Sequence, residues 1–177
     1  MGFINIPQLG QKVAGVEEVR SYLNARGIRY EVWETPANFT ADSTPEEVLE
    51  AYRTQIDSLK KEGDYRAADV ISVNEQTEGI EKIREIFLRE HTHSEDEVRF
   101  FVEGKGLFWF NLGGDSPIFS LLCQSGDLIS VPAGVCHWFD LGANPCVKAI
   151  RIFTNPSGWV ANYTGSGVDE RYNPKYH

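Results

Sequence analysis

The sequence predicts a mainly β fold with N-terminal helices: a small antiparallel barrel or sandwich behind a helix-rich first half. Three observations carry this expectation. From residue 91 onward, short runs rich in β-branched and aromatic residues recur, with Gly, Pro, Asn and Asp clustered between them. Before residue 90, apolar residues recur mostly at helical spacing. The 177 residues, 41% of them hydrophobic and 24% charged, suffice for one domain with its own core. We therefore read 1–177 as a single domain, with a helix-rich part at 1–89 packed on the barrel, a barrel core at 90–160 and a C-terminal tail at 161–177.

In chain order, residues 16–23 place apolar side chains at helical spacing, and Gly27 suits the residue after a helix end. Residues 28–33 alternate as a strand does. Ser43 or Thr44, followed by Pro45, Glu46 and Glu47, combines a cap, a first-turn proline and acids against the helix dipole. This start predicts a helix over 45–62 with a buried stripe of Val48, Leu49, Tyr52, Ile56 and Leu59. A strand at 69–73 and a helix at 77–87 follow, the latter with Ile80, Ile83 and Phe87 on one face. The β-type runs are 100–102, 106–111, 119–122, 127–131, 137–140 and 148–153, and turns are expected at 103–106, 113–115, 125–127, 132–134 and 142–145. The tail from Trp159 is turn-rich and is expected to pack across the barrel.

A net charge of −9 makes nucleic acid and anionic membranes poor partners. No apolar run approaches the roughly 18 residues that span a bilayer. The N-terminus lacks the basic and apolar regions of a signal peptide, and Ile6 stands where a myristoylation signal needs Ser or Thr. Three cysteines, an odd number, fit a reducing compartment, with Cys136 expected in the core. A cytoplasmic monomer is the expectation, in which the sequons at 38–40 and 162–164 carry no meaning.

The stretch 90–101 concentrates the chemistry. If it is one β-strand, side chains at 91, 93, 97, 99 and 101 share a face, and His91, His93 and Glu97 converge with Arg99 one position beyond. Three of the chain's four histidines are His91, His93 and His137, the last following the turn at 132–134. Two or three imidazoles and a carboxylate in phase read as a metal site for ions such as Fe(II), Ni(II), Mn(II), Zn or Cu.

His91-x-His93-x-x-x-Glu97, then Gly104, resembles the first motif of the cupins, and Gly126, Pro132-x-Gly134-x-x-His137 resembles the second. Two positions depart from that pattern: Glu85 and Leu141 stand where cupins often carry Gly and Asn. The blocks at 90–106 and 126–140, with 149–153 and 158–160, resemble the acireductone dioxygenase family within that superfamily. The resemblance implies a cupin double-stranded β-helix barrel holding one Fe(II) or Ni(II) per monomer through His91, His93, Glu97 and His137. It also implies cleavage of 1,2-dihydroxy-3-keto-5-methylthiopentene by O2 in methionine salvage. The iron form of the family gives formate and 4-methylthio-2-oxobutanoate; the nickel form gives formate, CO and 3-methylthiopropionate. Arg99 is expected to stabilise the enediolate and developing peroxide charge, or else to form a structural ion pair with a barrel carboxylate. Glu90 is a candidate base or ligand-supporting group, or else a cap on the incoming segment. Phe139 and Trp159 are candidates for the pocket around the methylthio end, or for barrel core. Another cupin dioxygenase or isomerase, and a non-catalytic small-molecule-binding cupin, are the competing functions.

Overall fold

The computed structural model describes residues 2–35, 39, 43–155 and 160–172. Among the described residues, eleven strands form one antiparallel hydrogen-bonded network wrapped around an apolar interior. Strand β6 (Glu97–Asn111) runs through both halves of it. Its first residues pair with β8 (Asp127–Val131) and β10 (Cys146–Phe153), and its last pair with β7 (Phe119–Gln124) and β9 (Cys136–Asp140). The turn expected at 103–106 is thus a bend inside a continuous strand, marked by a register shift opposite Lys148 and Ala149. Gly104 has φ +76°, and a Cβ there would stand 1.8 Å from the Cys146 carbonyl oxygen. A Cβ on Gly106 would stand 2.0 Å from the Phe139 ring, so its absence seats that ring.

The first 89 residues hold four strands as well as helices. β1 (Phe3–Ile6) and β2 (Gln11–Ala14) form a hairpin that the sequence reading missed, because Pro7 and Gly10 interrupt so short an alternation. β1 adds to β7 and buries Ile4 and Ile6. Helix α1 (Val16–Asn24) ends as expected, with Gly27 at φ +77° and the Ile28 amide donating to Leu23 O. β3 (Arg29–Val32) pairs with β8, and β4 (Ala67–Asn74) with β10.

The expected helix 45–62 is two helices, α2 (Pro45–Ala51) and α3 (Arg53–Glu62), because Tyr52 leaves helical geometry at φ −107°, ψ 14°. There its buried ring sits 4.7 Å, edge-on, from that of Phe100. Thr44 and Glu47 form the reciprocal cap the sequence suggested. Val48, Tyr52, Ile56 and Leu59 cover Val98, Phe100, Leu128 and Ile150 on the outer face of the barrel, whereas Leu49 is only half-buried. Helix α4 (Ile80–Phe87) leads into β5 (His91–Thr92), which pairs with β9 and with β11 (Asn162–Tyr163). Residues 168–172 pack across the stacked Trp109 and Trp138 rings. Among the described residues no helix is long and apolar enough to cross a membrane. The three cysteines are free thiols, and Cys136 is half-buried rather than in the core.

Candidate metal centre

The ligand segment is not one strand. Residues 93–96 leave extended pairing, so His91 comes from β5, His93 from the segment just after it, and Glu97 and Arg99 from β6. The bend holds because the 132–134 turn is bonded to it: Gly134 N–H donates to His93 O (2.9 Å) and Ala133 N–H to Asp96 Oδ1 (2.9 Å). His91 lies directly opposite His137 across β5 and β9. Pairing between strands therefore does what alternation along one strand was expected to do.

The three imidazoles are buried, their rings 4.6–5.2 Å apart between centroids. One nitrogen from each lies within 4.8 Å of the others, so the trio can hold a metal ion. Each Nδ1 faces a backbone carbonyl: His91 to Arg89 O (2.7 Å), His137 to Val135 O (2.8 Å) and His93 to Val160 O (3.2 Å). A carbonyl only accepts, so each Nδ1 carries a proton, and the Nε2 atoms of His93 and His137 point toward Glu97. Glu97 Oε2 stands 3.1 Å from His93 Nε2 and 3.0 Å from His137 Nε2. Ligands about 2.1 Å from a cation and at right angles to each other stand about 3.0 Å apart, so these separations fit neighbouring ligands of one ion.

Burial, with His137 nearby, pushes the His91 imidazole down to about 4 and keeps it neutral. Burial lowers His93 too, but Glu97 outweighs it and raises the net value. Burial pushes the Glu97 carboxyl up, yet Arg99 and the two histidines hold it well below the usual carboxylate range. Arg99 Nη2 lies 2.8 Å from Glu97 Oε1.

These groups line one wall of a cavity of about 520 Å³. Ile71, Val73, Ile83, Ile86, Phe87 and Phe139 also line it, together with Val160, Ala161 and Tyr163. Phe139 packs 4.7 Å from Phe108, and the Arg99 guanidinium lies 5.0 Å over its ring. Glu90 faces elsewhere: its buried carboxylate accepts from Asn111 Nδ2 (2.8 Å), Thr164 Oγ1 (2.6 Å) and Ser166 Oγ (2.7 Å). Those bonds outweigh burial and lower its pKa. Trp159 lies outside the described residues. Sequence reasoning gave no role to Arg151, which also lines the cavity. The available signal was an arginine in phase with Val147 and Ala149, on the face of the strand opposite to Lys148.

The model of the ARD/ARD' family matches residues 8–161. An acireductone dioxygenase of Cronobacter sakazakii is 51% identical over 156 residues, 88% of this chain and 86% of that protein. One of Picosynechococcus sp. is 50% identical over 154 residues, 87% of each chain. A solved acireductone dioxygenase from Bacillus anthracis, with a cadmium ion in its active centre, superposes with a TM-score of 0.84 at 34% identity. That match covers 92% of this chain and 98% of that one.

Proposed function

The chain belongs to the ARD/ARD' family of enzymes, and from that premise we propose that it cleaves 1,2-dihydroxy-3-keto-5-methylthiopentene with O2 in methionine salvage. The convergence of His91, His93, His137 and Glu97 on one buried point carries the reading. These four residues would hold one Fe(II) or Ni(II), since imidazole and carboxylate donors suit both ions. The cadmium in the Bacillus anthracis relative supports a divalent ion at this place.

An ion held there would supply Lewis-acid chemistry to an anionic substrate. The chain's own groups do the rest. Three neutral imidazoles and one carboxylate leave a divalent centre with net positive charge, which favours a deprotonated, anionic substrate. Arg99, fixed against Glu97 and under Phe108 and Phe139, presents a permanent cation to the charge that develops on the substrate. The apolar side chains that line the cavity, Ile71, Val73, Ile83, Phe87 and Phe139, take the methylthio end and exclude water. Glu90 anchors residues 164–166 and serves the site by holding the segment that bonds His93.

The iron form is expected to give formate and 4-methylthio-2-oxobutanoate, and the nickel form formate, CO and 3-methylthiopropionate. The test is to strip the protein, reload it separately with Fe(II) and Ni(II), add acireductone anaerobically, admit O2 and identify products. Stoichiometric metal without oxygen uptake above the uncatalysed rate would end the reading.

A further inference from the structure

A row of charged side chains crosses three strands where they border the cavity. Arg99 on β6 stands directly opposite Arg151 on β10, and Arg151 directly opposite Asp69 on β4. Both arginines line the cavity. Arg151 donates from Nε to Asp69 Oδ1 (2.8 Å) and from Nη2 to Asp69 Oδ2 (2.5 Å), a two-bond fork that fixes the guanidinium plane. Arg99 is held by Glu97, two residues before it on β6. Each cation therefore has its own carboxylate, Asp69 across a ladder for Arg151 and Glu97 along the strand for Arg99.

Like charges directly opposite each other in an antiparallel pair are destabilising, and Arg99 is buried where water screens little. A barrel needing only a structural ion pair has no use for a second cation at the middle of this row. Two guanidiniums side by side on a cavity wall, each paired with a carboxylate, are suited to an anion lying across both.

We propose that Arg151 is a second substrate-positioning residue, oriented by Asp69, which binds the oxygen of the enediolate that remains outside the coordination of the ion. The inference rests on the acireductone reading. That substrate carries oxygens on three consecutive carbons, and loss of a proton spreads negative charge over the conjugated system to the outermost oxygens. An ion held by the four ligands would leave one of these oxygens outside its coordination, and that oxygen, partly anionic, falls to the cation beside Arg99. The ligand class Arg151 selects is thus an enediolate with a conjugated third oxygen, as opposed to a plain two-oxygen chelator.

The test uses the metal-loaded full chain as wild type, Arg151→Gln, Arg151→Lys and Asp69→Asn. Metal content, oxygen-uptake kinetics and anaerobic substrate binding, followed by the absorbance of the enediolate, are measured for each. Arg151→Gln is expected to keep its metal and lose about tenfold or more in kcat/KM and in anaerobic affinity, the effect of one charge-assisted bond. Arg151→Lys should recover part of the affinity. Asp69→Asn, which keeps the cation and loosens its plane, should lower kcat more than it raises KM, a split that a merely structural pair would not produce. Wild-type kinetics in Arg151→Gln with full metal would overturn the proposal while leaving the family reading intact. Absence of oxygen uptake in the wild type would overturn both. If Arg151→Gln does not fold, unchanged kinetics in both Arg151→Lys and Asp69→Asn overturn the proposal.

Discussion

His93 is engaged at both ring nitrogens, by Val160 O and by Glu97. His93→Ala is therefore expected to lose metal and turnover together, because one donor of four is gone and the carboxylate beside it is left short of a partner. Metal analysis alongside oxygen uptake checks this; full metal and full rate would remove His93 from the ligand set. Arg99→Ala should behave differently. It keeps all four donors, so metal stays, while kcat falls about 10²-fold, as when one preorganised charge-stabilising donor is removed. Without metal the same change leaves Glu97 buried and without its cation, at a cost of about 3 kcal/mol. Denaturant unfolding of metal-free and loaded forms should show the larger loss in the former, and equal losses would refute the argument. At this scale the rare residue types were legible: three histidines and an acid at informative spacing declare themselves. Asp69 and Arg151 did not, because their bond joins segments 82 residues apart whose pairing no local pattern reveals. The environment of Glu90 was hidden for the same reason, since Thr164 and Ser166 reach it from the far end of the chain.

Among the elements, β6 decides most. It reads as two strands and a turn because Gly104 and Gly106 look like turn residues, yet each glycine answers a contact from another strand. Gly104→Ala must place a Cβ against the Cys146 carbonyl at a left-handed φ, and a cost of about 3 kcal/mol is expected from strain and overpacking combined. A urea midpoint unchanged from wild type would show that the bend tolerates a side chain. Caps and helix ends, by contrast, were readable at Thr44 and Gly27, since their hydrogen bonds close within a few residues. The break between α2 and α3 was not, because Tyr52 is drawn out of helical geometry where its ring packs on Phe100, far away along the chain.

For the molecule as a whole, the centre joins β5, β6 and β9, so a bound ion adds a tie among three strands already paired in ladders. Binding to the folded chain alone adds stability by mass action, about 2.7 kcal/mol when free metal is 100 times its Kd. Chelation is therefore expected to lower the calorimetric Tm, and either Fe(II) or Ni(II) to restore it. Coincident transitions for stripped and loaded protein would mean that the ligands do not span the fold as described.

By itself the sequence determined the barrel class, most element positions from residue 100 onward and the four candidate ligands, because hydropathy alternation, turn chemistry and scarce ligating residues are local quantities. Only the tertiary structure decided that β5 and β6 are separate strands, that the first residues form a hairpin on β7, and that Arg151 meets Arg99 across a ladder. Each of these depends on which strand lies beside which, and strand neighbours in a barrel are chosen by the burial of the whole interior rather than by any one segment.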